Sequence, residues 1–209
     1  MSNLLIIIFL MSLFYIAVSG RLFVCINLLI LQGLLLFGVA FIDLTEVNVI
    51  NLIVVLIETL VFKSIVLPYY IKKMVTKNKI KRKVSPFISG FSSTLAVSVL
   101  IVLSFILGYF LQNEQLKILF VTAAFSGILT GLFLIVTRHE IIHHIIGFIV
   151  LENGIVLLSF SIGKDMPMAV NAGILLDILI SVLLFGLFMN KITRTYKDLE
   201  IDNLKKLAD

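Results

Sequence analysis

The sequence predicts an all-α membrane protein, a bundle of about seven transmembrane helices with its N-terminus outside and its C-terminus cytoplasmic. Three observations lead there. Of the 209 residues 60% are hydrophobic and only 14% charged, with a mean hydropathy of +1.17, far from the balance of water-soluble domains. Apolar runs recur at the length a bilayer demands: a spanning helix needs roughly 20 mostly apolar residues, because each backbone amide must find its partner inside the segment. Finally, Lys and Arg gather in alternate loops.

Taken in order, the spans are expected at 3–19, 22–42, 47–68, 87–110, 118–136, 141–161 and 168–189. In the first, Ala17-Val18-Ser19-Gly20 would suit a signal-cleavage site, but no positive charge precedes the apolar run, so it reads as a retained helix. Cys25 is the single cysteine, which excludes an internal disulfide framework and a cysteine-based zinc site within one chain. The organisation that follows is a three-helix N-terminal part (1–70), a basic cytoplasmic loop (71–86), a fourth helix with an outer loop (87–115), a second three-helix part (116–190) and a cytoplasmic tail (191–209).

The net charge of +5 does not point to nucleic acid, because its distribution follows the positive-inside rule. With the loop after the third span placed in the cytoplasm, Arg21, the run Lys72, Lys73, Lys77, Lys79, Lys81, Arg82, Lys83, then Arg138 and Lys191, Arg194, Lys197, Lys205 and Lys206 of the tail all fall inside. Only Lys117 and Lys164 fall outside, while Lys63 lies within a span. The basic run is a topology determinant first, with anionic headgroups as a further contact.

Ionisable groups at the bilayer centre cost roughly 2.5–3.5 kcal/mol on insertion scales, so they face a bundle interior or a water-filled path. Glu58, Glu152 and Asp177 stand near mid-span, and Lys63 lies nearer the cytoplasmic end of the third. Burial and a nearby cation act in opposite directions on a carboxyl, and a group balanced between them can pass protons from one water chain to another. The plainer alternative is a hydrogen-bonded carboxyl that holds helices together. Glu58 and Lys63 are five residues apart, about 140° around a helix at roughly 100° per residue, so partners on other helices or another subunit are expected.

All three histidines fall in Thr137-Arg138-His139-Glu140-Ile141-Ile142-His143-His144. This stretch contains His-Glu-x-x-His, which on a helix aligns two imidazoles for zinc with Glu140 as a general base. Asp177 would then have to supply the third protein ligand. A second reading has His139, His143 and His144 gather protons at the cytoplasmic mouth of the sixth span, with His144, Phe148 and Glu152 aligned at i, i+4, i+8 toward the midplane. A third leaves them as histidines at a wet helix end.

From about Leu116 onward the chain resembles the three-helix K-type subunit of respiratory complex I, on the stretch Gly147-Phe148-Ile149-Val150-Leu151-Glu152-Asn153-Gly154. Glu152 stands three residues after the place of that family's first buried Glu, which Ile149 holds here; three residues is nearly one turn, about 4.5 Å along the axis. Asp177, in Leu175-Leu176-Asp177-Ile178-Leu179-Ile180-Ser181, matches the place of the second buried Glu. With Lys63-Ser64-Ile65-Val66-Leu67-Pro68-Tyr69-Tyr70-Ile71-Lys72-Lys73 in the front half, nearly the whole chain resembles the membrane component E of hydrogenase-4 and formate hydrogenlyase complexes.

That resemblance implies a non-catalytic subunit of a group 4 nickel-iron hydrogenase or related complex I-like complex in the prokaryotic cytoplasmic (inner) membrane. It implies no cofactor in this chain, with nickel-iron and iron-sulfur centres in partner subunits. The partners it implies are antiporter-like membrane subunits, a complex I-like membrane anchor subunit and a peripheral hydrogenase arm. Glu152 and Asp177 become the principal proton-transfer residues, with Glu58, Lys63, His139, His143 and His144 as further candidates. An intramembrane zinc metalloprotease using His139, Glu140 and His143, and a purely structural membrane subunit, are the alternatives.

Overall fold

The structure, a computed structural model, describes residues 1–43, 53, 56–77, 89–111, 117–138 and 141–162. All of its regular elements are helical: α1 (Ser2–Val18), α2 (Leu22–Asp43), a π-helical stretch (Glu58–Val66) that continues into α3 (Leu67–Lys77), α4 (Gly90–Phe110), α5 (Ile118–Thr137) and α6 (Ile141–Ile162). Among the described residues, α2, α4, α5 and α6 are long and apolar enough to cross a membrane, and α1 is a shorter apolar helix. The expected span at 168–189 lies outside the described residues. The expected third span at 47–68 differs, because its helix runs on to Lys77. Pro68 does not end it: the helical path passes through the proline, two residues after the π-helical stretch gives way to α3.

Helix boundaries follow local chemistry. Val18 ends α1 because Ser19 turns extended, and Ser19-Gly20-Arg21 is all that separates it from α2. Ser89 starts α4 by accepting a hydrogen bond from the Ser92 amide at 3.2 Å, which satisfies one of the donors left over at a helix N-terminus. Extended backbone at Arg138 ends α5 and allows α6 to return antiparallel.

The core is assembled from one stripe per helix. In α1 it comprises Ile6, Phe9, Ser12, Leu13, Ile16 and Ala17, the spacing of one helical face. In α2, Leu22, Cys25, Leu29, Gln32, Leu36 and Val39 repeat it. The tightest seam joins α5 to α6, where Gly127 meets Gly154, and Gly131 meets Gly147 and Leu151. A Cβ on Gly131 would lie 2.6 Å from the Gly147 carbonyl oxygen and 2.6 Å from the Leu151 nitrogen. Only glycine admits such backbone contact, and within a membrane this close packing replaces the hydrophobic effect as the force between helices. α4 lies at the margin against α1 and α5. It buries Ser93, Val97, Ser104 and Gly108 and exposes an apolar face that includes Leu95, Val99, Val102, Phe105 and Tyr109.

Candidate functional site: a buried charge pair on an amide chain

α2 meets the π-helical stretch at Gly33, where an added Cβ would lie 2.6 Å from Ser64 Oγ and 3.1 Å from the Lys63 carbonyl carbon. This approach brings Gln32, next to Gly33 in sequence, and Lys63, next to Ser64, into one interior. Lys63 Nζ lies 3.9 Å from Glu152 Oε1, and the two side chains are 1% and 7% exposed. The π-helical geometry is uncommon and recurs at functional positions; here it carries the lysine of a buried ion pair.

The pair is anchored by hydrogen bonds that cross the bundle. Lys63 Nζ donates to Asn153 Oδ1 at 3.1 Å; Asn153 Nδ2 donates to Gln32 Oε1 at 3.1 Å. Gln32 Nε2 then donates to Ser12 Oγ at 2.9 Å, and Ser12 Oγ donates to the Phe9 carbonyl at 2.6 Å. One directional chain therefore links the π-helical stretch, α6, α2 and α1. Ser12, Gln32, Lys63, Glu152 and Asn153 are all buried. Gln32 is the eleventh of 22 residues in α2 and Asn153 the thirteenth of 22 in α6, so the network lies near mid-helix.

Magnitudes decide what holds this arrangement. Two unit charges about 4 Å apart attract by roughly 4 kcal/mol at an effective dielectric constant near 20. Desolvation costs several kcal/mol for each ion, so Coulomb attraction alone does not stabilise the pair. The hydrogen bond from Lys63 to Asn153, and the fixed orientation that Gln32 imposes on that amide, supply the remainder.

A second polar cluster forms where α1 and α5 end and α6 begins. The buried Arg138 donates from Nη2 to the Ala17 carbonyl at 2.6 Å and to the Ser19 carbonyl at 3.5 Å. Those carbonyls lie beyond the last intrahelical bonds at the C-terminus of α1, where a cation is favoured. His144 Nε2 lies 2.5 Å from the Arg138 carbonyl oxygen and braces the α5–α6 turn. His143 beside it is buried. Arg138→Gln is expected to weaken the joint between α1 and α5 by about 1.5–3 kcal/mol, the worth of hydrogen bonds from a charged donor. Unfolding of the purified variant would show this as a lower midpoint.

No protein-family model matches the sequence, and no solved structure matches it. Among curated proteins, an uncharacterized protein of Mycobacterium tuberculosis, Rv0085, is 29% identical over 187 residues, 88% of this chain and 85% of that protein. Hydrogenase-4 component E of Escherichia coli K12 is 33% identical over 84 residues, 40% of this chain and 39% of the relative. The Shigella flexneri component E matches to the same extent. The match thus spans about two fifths of the hydrogenase-4 component. The chain is distantly related to hydrogenase-4 component E.

Against that relationship, the structure brings together two of the expected residues, Lys63 and Glu152. Lys63, for which partners on other helices were expected, finds them on α6. Glu58 opens the π-helical stretch. Asp177, His139 and Glu140 lie outside the described residues. The track through His144, Phe148 and Glu152 does not stay inside the bundle: Phe148 is 38% exposed. Steps of four residues drift about 40° per step on a helix of 3.6 residues per turn. The buried line on α6 runs instead through His143, Ile146, Val150 and Asn153. Gln32, Ser12 and the inward-turned Arg138 were not anticipated, although Gln32 and Ser12 interrupt apolar runs as the acids do.

Proposed function

We propose that this chain is a non-catalytic membrane subunit of a group 4 nickel-iron hydrogenase or related complex I-like complex in the prokaryotic inner membrane. In this reading it contributes buried ionisable groups to proton or sodium translocation and links the redox arm to antiporter-like subunits. The observation that carries the reading is the Lys63–Glu152 pair, buried near mid-helix and held by a hydrogen-bonded chain. Ionisable side chains at that depth are by default candidates for ion pathways and proton relays. The distant relationship to hydrogenase-4 component E supports the choice of complex.

The network divides the labour. Neutral amides have no readily protonated form at ordinary pH, so Asn153 and Gln32 orient Lys63 without passing protons. Transfer falls to Glu152 and Lys63, with Asp177, Glu58 and the histidines His139, His143 and His144 completing the path. Seven spans, with the N-terminus outside and the C-terminus cytoplasmic, accommodate these residues. Arg21 and Arg138 would then share the cytoplasmic end, with Lys117 at the other end of α5. The chain itself carries no cofactor in this account, and nickel-iron and iron-sulfur centres belong to the peripheral arm.

The amide chain also favours a second reading, in which the chain is a scaffold and the network only fixes helix register. Glu152→Gln and Asp177→Asn separate the two. The relay predicts at least a tenfold loss of proton translocation in membrane vesicles with the complex fully assembled. Normal translocation in both variants removes the relay and leaves the scaffold.

A further inference from the structure

Most helical serine and threonine hydroxyls with a hydrogen bond among the described residues donate back to the carbonyl three or four residues earlier. Ser12, Thr94, Ser98, Ser104, Thr137 and Ser161 all do so. This is the ordinary way to satisfy a hydroxyl where lipid offers no partner. Three hydroxyls on α5 depart from the pattern. Thr122, Ser126 and Thr130 are 3%, 0% and 0% exposed, and among the described residues their hydroxyls have no hydrogen-bond partner.

Their spacing is regular. At i, i+4 and i+8 they wind only about 80° around α5 and all stay on its buried side, each about 6 Å above the last at 1.5 Å per residue. That is too far for hydroxyl to reach hydroxyl, and it matches two consecutive O–H···O bonds of about 2.8 Å through one intervening oxygen. Thr122 Oγ1 faces Gly108 of α4, where a Cβ would come within 2.9 Å of it, so the neighbouring helix leaves its backbone bare beside the hydroxyl. Buried polar atoms without protein partners are the usual ligands of internal water.

We propose that the Thr122–Ser126–Thr130 face of α5 is a water-binding track, in which two water molecules bridge the three hydroxyls. Its lower end lies toward Lys117. Its upper end is fixed by the seam with α6: Gly131 lies against the backbone of Leu151, so Thr130 reaches the depth of Glu152 to within about one residue's rise. Ordered water at that depth is a separate matter from whether Glu152 relays protons, and the track holds or fails independently of the relay.

Water-edited solid-state NMR of the full chain in lipid bilayers tests it. Magnetisation from water is expected to reach the side chains of Thr122, Ser126 and Thr130, and not Ala123 or Ala124, which are equally buried on the same helix. In Ser126→Ala, the signals at Thr122 and Thr130 should fall at least twofold while α5 and α6 backbone shifts are retained. Should that variant misfold, Thr130→Val is expected to lower transfer to Ser126 while leaving Thr122 in contact with water. Hydroxyls as dry as Ala123, or transfer to the remaining positions that neither variant alters, would overturn the track.

Discussion

Lys63→Met is expected to lower the stability of the folded chain by about 3–5 kcal/mol, the range for removing one partner of a buried ion pair. The cost does not arise from the lost attraction alone. Glu152 would lose the Lys63 ammonium while staying buried, and Asn153 Oδ1 would lose its donor. The double variant Lys63→Met with Glu152→Gln removes both charges, and it should recover most of the stability, because a neutral amide and a thioether need no counter-ion. Unfolding in mixed micelles, followed by loss of helical signal, gives the comparison. If the double variant is as unstable as the single one, the pair is not the reason for the loss. The two variants separate stability from function, since both should abolish translocation while only one is unstable.

Gly131→Leu is expected to prevent folding of the α5–α6 hairpin, and Gly131→Ala to cost about 1–3 kcal/mol or somewhat more, as overpacking does. The reason is geometric. At this crossing the atoms met by a new Cβ are backbone atoms of α6, at 2.6 Å, and they cannot rotate away as a side-chain end can. Gly154 is a matched case, with the Ile128 nitrogen at 2.6 Å and the Ala124 carbonyl oxygen at 2.7 Å. Gly90 is the control, because the nearest atom to its added Cβ is a Val18 methyl at 3.7 Å. Yield of monodisperse protein and the unfolding midpoint should fall for alanine at 131 and 154 and stay near the wild-type values at 90. Equal behaviour at all three positions would show that the seam is looser than described.

Glu152 was legible as a site residue because a lone acid inside an apolar run violates the strongest rule of membrane chemistry. Its partner was not. Lys63 is 89 residues away in sequence, and the distance rule that applied to it concerned Glu58, five residues away on the same helix. What brings Lys63 and Glu152 together is the approach of α2 to the π-helical stretch at Gly33, and neither the π geometry nor that contact has a periodic signature. Gln32 could have been found by the same reasoning as Glu152, since an uncharged amide in the middle of an apolar helix also needs a partner. Reading only charged residues as exceptional hid it.

Arg138 shows a different limit. Counting loop cations treats every Lys and Arg as a solvated charge, and that count carries the expected orientation. The structure turns the Arg138 guanidinium inward onto the carbonyls that end α1. A cation can serve both purposes, because a helix C-terminus attracts it at either location. The end of the third helix was misjudged for a related reason: Pro68 followed by basic residues resembles a stop. A proline inside a helix removes one backbone donor and kinks the helix without having to end it. The all-helical, membrane-embedded class rested on composition and run length, which are insensitive to such local choices.

In the proposed function this chain is a subunit carrying buried charge within a larger ion-translocating redox complex. The most direct measurement is gentle purification of the tagged chain from its native membrane, with identification of every co-purifying protein and analysis of bound metals. Antiporter-like membrane subunits and a peripheral arm containing nickel and iron-sulfur centres are expected, in fixed proportion to the chain. A solitary chain, and above all one carrying stoichiometric zinc, would contradict it.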